Sequence, residues 1–215
     1  MAIDMDEHEQ GELVRAWLRQ NGATIVTGIL VGVAAILGWN WWQTQQANKA
    51  FAAGTEYHRM VIAAEGGDLA QARAHSEAIQ SDFGDSPYAV LAALRQASLE
   101  VAQGDHEAAI ATLEAARGRN ADPALDELLA LRKARLQIAA GDHEQALSLL
   151  EGVGAGYAGM AHELRGDALQ ALGRDREARM AYVDALTHLD SAAPSRALVE
   201  FKLNDLGGSV DAPEA

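Results

Sequence analysis

Two histidines are the first residues to test for chemistry, because they occupy equivalent places in a repeated Gly-Asp-His-Glu motif. His106 and His143 lie a whole repeat apart, and neither has a third ligand at the short spacing that a metal site needs. The chain contains no cysteine, which excludes a thiolate metal site, a thiol nucleophile and a disulfide. We interpret both histidines as solvated first-turn residues and expect no metal, no cofactor and no catalytic site.

A glycine pattern is the second candidate. Gly154, Gly156 and Gly159 formally match the GxGxxG fingerprint of dinucleotide binding. That fingerprint works between a strand and a helix, where the amino terminus of the helix meets a pyrophosphate. Here it follows a helical segment, and no strand pattern is readable in the sequence. The pattern therefore predicts a flexible loop between two helices.

Arg132, Lys133 and Arg135 form the only dense basic cluster in the sequence. The 215 residues include 31 acids and 17 bases, for a net charge of -14, and this balance argues against a nucleic-acid binder. The cluster could meet an acidic partner, but a helix face with internal salt bridges is the favoured interpretation.

One stretch has the composition of a membrane helix. No Asp, Glu, Lys or Arg occurs from Gln20 to Asn48, and the apolar core of this stretch runs from Ala23 to Trp42. Twenty helical residues span about 30 Å, the thickness of the hydrocarbon core of a bilayer. A buried core helix and a cleaved signal peptide are the alternatives, and the acidic residues that precede the stretch speak against the second. We predict a transmembrane helix over 23–42 that contacts membrane lipid.

Residues within this helix and before it indicate what it packs against and how it is oriented. Thr24, Gly28 and Gly32 form a small-residue stripe that would allow close packing against another membrane helix. The apolar residues of the preceding segment recur at helical spacing, and Asn21-Gly22 supplies a stop signal, so residues 1–22 are predicted to contain a short amphipathic helix. Those apolar residues are Leu13, Val14, Trp17 and Leu18. Positive charge is nearly balanced across the helix and leans weakly to a cytoplasmic amino terminus.

After the membrane segment a short pattern recurs around four glycines. Gly67, Gly104, Gly141 and Gly173 are 37, 37 and 32 residues apart, and an alanine follows each of them after five residues. Each glycine would end one helix, and Asp68, Asp105 or Asp142 would cap the next. Pro87, Pro123 and Pro194 would begin the intervening helices. The sequence thus predicts an all-α protein: helical hairpins over 43–206, a capping helix near 195–206, and a frayed tail over 207–215.

These units resemble tetratricopeptide repeats, in which two helices cross at small residues and the first helix of each pair lines a concave groove. Counting back from each turn glycine places candidate groove residues for a peptide or a partner helix. They are Tyr57, Val61, Leu91, Leu94, Ser98, Val101, Leu128, Leu131, Arg135, Ile138, Met160, Glu163, Asp167 and Gln170. Packing of these side chains against neighbouring repeats or the last helix is an equally good interpretation.

Four segments of the chain carry a more specific resemblance. They are ELVRAWLRQNGATIVTGILVGVAAILGWNWWQ, LRKARLQIAAGDHEQALSLLEGV, ELRGDALQALGR and FKLNDL. Together they resemble the YfgM family of bacterial inner-membrane proteins, over about residues 7–206. The resemblance implies a cell inner membrane protein with one transmembrane helix, a cytoplasmic amino terminus and a periplasmic domain.

The resemblance also implies partners. These are the SecYEG translocon, the membrane-anchored folding factor PpiD, newly translocated or unfolded proteins, and a stress-response regulator at the cytoplasmic end. The implied role is that of an ancillary chaperone without ATP. Two alternatives stay open: a scaffold that assembles a membrane complex without touching clients, and an enzyme, which would need a polar cleft with converging catalytic groups.

Overall fold

The computed structural model describes residues 3–119 and 122–208 of the chain. This part of the protein is all-α, with nine α-helices, one short 3-10 helix at Ala155–Tyr157 and no strand. It falls into two compact units, Met1–Phe51 and Ala52–Ala215. The helices are α1 (Ile3–Glu65), α2 (Leu69–Asp82), α3 (Pro87–Ala102), α4 (His106–Ala116), α5 (Pro123–Ala140), α6 (His143–Leu150), α7 (Ala158–Ala171), α8 (Asp175–His188) and α9 (Arg196–Asp205).

The first unit consists of the amino-terminal part of α1. Here the predicted stop at Asn21-Gly22 is wrong, because α1 continues through both residues. The Asn21 side chain donates a hydrogen bond to the carbonyl oxygen of Trp17, four residues back, at 3.0 Å. A side chain that bonds within the helix in this way does not release the backbone from it. The side chain of Leu13 lies outside the described residues.

The apolar stretch of α1 is exposed around its whole circumference. Ile29, Leu30 and Val31 are successive residues that point in different directions, and each is at least 60% exposed. The helix is long and apolar enough to cross a membrane, and none of its most apolar window is buried. The length and exposure of α1 fit a single membrane-spanning helix.

The second unit is built from turns that share one geometry. Gly67, Gly104, Gly141 and Gly173 all have φ between 73° and 92°, the left-handed conformation that only glycine adopts without strain. In each turn the next backbone N–H bonds a carbonyl five residues back, at 2.8 to 2.9 Å. This is the Schellman ending of a helix, and the prediction of glycine turns is confirmed. Gly207, with φ 73°, ends α9 in the same way.

The caps that follow these turns agree in part with prediction. Asp68 accepts a hydrogen bond from the N–H of Gln71, and Asp105 accepts one from Ala108. Asp142 occupies the same place without a side-chain cap bond. Pro87 and Pro123 begin α3 and α5 as expected. Pro194 does not begin α9, because the following turn places Ser195 at the cap and the helix starts at Arg196.

Small residues allow the two helices of each hairpin to approach closely. The alanines five residues after the turns, Ala72, Ala109, Ala146 and Ala178, are fully buried. On α7 the residue at this crossing is Gly166, where an added Cβ atom would overlap the ring of Tyr182 on α8. The predicted crossings of small residues are therefore present in the packed structure.

Successive helices from α2 to α9 pack against one another, and α5 also contacts both α3 and α7. This pattern is that of stacked hairpins, with α3, α5 and α7 as the first helices of their pairs. The α9 helix covers the end of the stack by burying Val199 and Leu203 against α8. It corresponds to the predicted capping helix. From residue 209 onward the predicted tail lies outside the described residues.

The GxGxxG loop is more structured than the sequence suggests. Gly154 precedes the short 3-10 helix, and Gly159 already belongs to α7, where it is buried. A Cβ atom at Gly159 would lie 2.8 Å from the Leu189 side chain. Gly154 and Gly156 thus lie where the chain turns into α7. Gly159 allows α7 to lie against the end of α8.

Candidate partner-binding groove

An open groove of about 400 Å³ lies between α3, α4 and α5. Its floor is apolar, and two arginines of α5 stand on one side. The lining residues are Leu94, Ala97, Ser98, Val101, Leu113, Arg132, Arg135 and Leu136. Leu94, Val101 and Leu136 are partly buried and pack on the core formed by α3, α4 and the start of α5. The groove therefore offers apolar surface whose side chains are held by the core and are accessible to solvent.

Four of the residues chosen from the repeat spacing line this groove: Leu94, Ser98, Val101 and Arg135. Four others were not chosen. Ala97 and Leu113 are buried residues of the core on which the other apolar residues of the groove pack. Arg132 lies three residues before Arg135 and four residues before Leu136, so both of these side chains are its neighbours on the surface of α5. Counting the neighbouring helical positions from Arg135 would have found Arg132, and from there Leu136.

Three candidates on α1 and α3 lie outside the groove. Tyr57 on α1 packs against the core formed with α2, with its ring 5.9 Å from that of Tyr88. Val61 is partly buried. Leu91, at 39% exposed, is on α3 but not among the residues that line the groove.

Other chosen positions, on α5 and α7, turn toward the core. Leu131 is only 4% exposed and belongs to the cluster that joins α5, α6 and α7. Ile138 and Met160 pack against the same cluster, and Leu128 is partly buried. These side chains stabilise the contact between repeats.

The acidic positions of the fourth repeat are engaged by the capping helix. The ammonium of Lys202 on α9 donates to Glu163 Oε1 at 2.9 Å and to Asp167 Oδ1 at 2.7 Å. Tyr182 donates its hydroxyl to Asp167 at 2.8 Å and to Gln170 at 3.0 Å. Glu163 is 5% exposed. The polar groups that would have formed the far end of the groove are thus bound inside the protein.

The electrostatics of this cluster follow from burial and pairing. Burial opposes the charge of Lys202, but the hydrogen bonds and charges of Asp167 and Glu163 outweigh burial and raise its pKa above the ordinary 10.5. Burial, followed by the charge of Asp167, raises the pKa of the Tyr182 hydroxyl far above its usual value. Lys202 is therefore charged and Tyr182 neutral over the physiological range.

The basic cluster of α5 divides between two faces. Lys133 donates to Glu114 at 2.7 Å, and this hydrogen bond is the main reason why the pKa of Glu114 is lowered. Arg132 and Arg135 are exposed at the groove and make no hydrogen bond or ion pair with the described part of the chain. The favoured interpretation of a salt-bridged face holds for Lys133 and is wrong for the two arginines.

A second, polar cleft of about 250 Å³ lies between α2, α3 and α4. Its buried carboxylate, Glu100, accepts hydrogen bonds from Gln96 and Thr112, both at 2.8 Å. No histidine lines it. Across the described residues no group of three or more His, Asp and Glu could hold a metal ion, and His106 and His143 belong to none. The cleft shows a hydrogen-bonded network and no arrangement of acid, base and nucleophile.

The membrane-helix candidates lie on the exposed part of α1. Thr24 is exposed, and a Cβ atom added at Gly28 or Gly32 would meet nothing within 4 Å. The stripe is therefore open to whatever surrounds the helix.

The stacked hairpins and the glycine turns define a helical-repeat protein whose chain begins with a long apolar helix. The tetratricopeptide repeat-like domain family matches residues 15–208. The chain belongs to this family, and the resemblance to the YfgM family is confirmed by the relatives described next.

Three curated relatives carry the same description, ancillary SecYEG translocon subunit. The protein from Escherichia coli strain K12 is 30% identical over 96% of this chain and 99% of its own length. The proteins from Haemophilus influenzae and Aggregatibacter actinomycetemcomitans are each 29% identical, over 52% and 51% of this chain. The chain spans about half of the length of these two relatives, 54% and 53%. Both descriptions, of a subunit and of a repeat domain, are those of an accessory protein.

Proposed function

We propose that this protein is an ancillary, membrane-anchored subunit of the SecYEG translocon whose repeat domain holds apolar segments of newly translocated proteins. The observation that carries the proposal is the groove between α3, α4 and α5. Leu94, Val101 and Leu136 present apolar surface there, and the groove is wide enough for side chains of an unfolded chain. The names of the three relatives support the translocon as the place of action.

The proposal gives the two units separate tasks. The apolar part of α1 crosses the inner membrane, with the amino terminus in the cytoplasm and the repeats in the periplasm. Arg15 and Arg19 precede the span, and Lys49 and the more distant Arg59 follow it, so charge supports this orientation only weakly. Thr24, Gly28 and Gly32 would form the face that packs against a membrane partner.

Binding by this groove needs neither ATP nor covalent chemistry. An apolar segment leaves water when it enters the groove, and about 25 cal/mol is gained for each Å² of apolar surface removed. Part of this gain is offset by the ordering of the bound segment, which favours weak and reversible contact. Such contact suits a protein that delays aggregation and then releases its client. Association with PpiD and with a cytoplasmic response regulator rests on the family resemblance.

The test uses the full chain in lipid nanodiscs. Leu94→Glu places a charge in the groove, and Leu198→Glu makes the same change on α9, where Leu198 is 51% exposed and outside the groove. Leu94 is preferred to Leu131, because a glutamate in place of the buried Leu131 would disturb the fold itself. We expect Leu94→Glu to lose the suppression of aggregation of an unfolded test protein, measured by light scattering, and Leu198→Glu to retain it.

Circular dichroism checks that both variants keep their helical content. Equal suppression by the wild type and both variants would reject the groove as the client site. If the wild type itself suppresses no aggregation but still copurifies with the translocon, the protein is a scaffold and the proposal is wrong.

A further inference from the structure

Arg132 and Arg135, which have no acidic partner in the part of the chain that the structure describes, line the groove of a strongly acidic protein. The chain has 31 acidic residues for 17 basic ones. Most of the basic side chains in the repeats form an ion pair with an acid. Examples are Arg117 with Glu114 and Asp126, Lys133 with Glu114, and Lys202 with Glu163 and Asp167. Among the described residues Arg132 and Arg135 make no ion pair. Arg165 and Arg176 make none either, but they do not line the groove. The placement of Arg132 and Arg135 therefore calls for an explanation.

No carboxylate is among the residues that line the groove, and three acids of α3, α4 and α5 are already engaged. Glu114 of α4 holds Lys133 and Arg117, while Asp126 of α5 accepts hydrogen bonds from the N–H of Gly118 and from Arg117. Glu100 of α3 accepts from Gln96 and Thr112 on the side of the polar cleft. None of these carboxylates is positioned to neutralise the groove. Positive charge is thus concentrated beside the apolar floor formed by Leu94, Val101 and Leu136.

We infer that the groove selects apolar segments that carry carboxylates, with Arg132 and Arg135 as the residues that read the acidic side chains. This inference rests on the proposed function and names its class of substrate. The two arginines are three residues apart and share one face of α5, so they can reach two carboxylates about one helical turn apart or one carboxylate together. A guanidinium offers paired donors that fit the two oxygens of a carboxylate.

The attraction between the two groove arginines and an acidic segment is opposed by the net negative charge of the protein. With a net charge of -14, the protein repels an acidic peptide at long range. Only a local contact can reverse this preference, since an ion pair at an apolar floor is less screened than one in open solvent. The sign of the preference therefore depends on the two arginines.

The experiment uses three fluorescent peptides with one common pattern of leucine and alanine and with two glutamates, two glutamines or two lysines at the same places. Binding to the full chain in phosphatidylcholine nanodiscs is followed by fluorescence anisotropy. We expect the glutamate peptide to bind about tenfold more tightly than the glutamine peptide, which corresponds to one good charge-assisted contact. The lysine peptide should bind the most weakly of the three.

In the double variant R132Q/R135Q the order should invert, with the glutamine peptide bound more tightly than the glutamate peptide. R132K/R135K keeps the charge but loses the paired donors and should show an intermediate preference. The matched control R165Q/R176Q removes the same charge at exposed sites on α7 and α8 and should leave the preference for glutamate unchanged.

Leu94→Glu separates the two proposals. If it leaves the binding of all three peptides intact, the groove is not the site and the proposed function fails. If it abolishes binding, while the wild type and R132Q/R135Q rank the glutamate and glutamine peptides alike, the groove is the site and the inference about acidic segments is wrong.

Discussion

The second and third repeats and the fourth repeat use the same positions of the first helix for opposite purposes. On α3 and α5 these positions include Leu94, Ser98 and Arg135, which line an open groove. On α7 the corresponding positions include Glu163 and Asp167, and α9 covers them with Lys202. An equivalent place in the repeat thus becomes part of an open groove or part of the interior, depending on whether a further helix covers it. A repeat pattern defines the helix face and does not define what covers it.

The variant with the largest expected effect tests whether the ion pairs of Lys202 hold α9 on the fourth repeat. Lys202→Met removes the ammonium and leaves Glu163, whose side chain is 6% exposed, without its cation. We expect a loss of about 3 kcal/mol in the free energy of unfolding, since an uncompensated buried charge is costly. Urea denaturation of the full chain in detergent measures it.

The triple variant K202M/E163Q/D167N is the control for the lost charge. It removes the stranded carboxylates and should recover most of the stability, because amides of similar shape keep the hydrogen bond from Tyr182. A loss as large as that of the single variant would instead assign the effect to packing of the lysine chain.

The next effect concerns the tight crossing that sets α7 against α8. In an open helix Gly→Ala stabilises by about 1 kcal/mol. At Gly166 the added methyl group would overlap the Tyr182 ring, so we expect Gly166→Ala to destabilise by about 2 kcal/mol. Gly156→Ala, where the methyl group meets nothing within 4 Å, serves as the control. A gain in melting temperature for Gly166→Ala would show that the crossing has room to spare.

The smallest effect is a pH dependence confined to the covered repeat. Burial, helped by His188 and Arg165 and opposed by Asp184, lowers the pKa of His162 below 6.5. The unfolded chain therefore takes up the proton first, so stability is highest above pH 6.5 and falls as the pH drops toward the folded pKa. We expect His162→Gln to remove this part of the acid sensitivity, a difference of less than about 3 °C in melting temperature. Parallel melting curves for wild type and variant across this range would contradict the assignment.

The turns and crossings of the repeats could be predicted because they depend on local chemistry. A glycine in the left-handed conformation, an aspartate cap and an alanine at the crossing act within a few residues of one another, as at Gly104, Asp105 and Ala109. The stop expected at Asn21-Gly22 failed for a related reason. The same residues are compatible with a helix when the asparagine bonds back to the preceding turn and the flanking segments both favour helix.

The limits of the groove could not be predicted, because they depend on distant residues. Glu163 and its partner Lys202 are 39 residues apart, and no spacing rule joins them. The basic cluster shows the same limit at close range. Lys133 and its neighbours Arg132 and Arg135 look alike in the sequence, but the rotation of α5 sends the lysine to Glu114 and the arginines to the groove.

The glycine ending shared by α9 and the repeats has a consequence for engineering. Judged by Gly207, α9 resembles the opening half of another hairpin. Seven residues before the other turn glycines stand Met60, Ala97, Ala134 and Gly166, whereas before Gly207 stands Glu200, paired with Arg196 at 3.0 Å. A long charged side chain at that place would keep an incoming helix away. Lengthening this protein by one module would therefore begin with the replacement of Glu200 by a small residue.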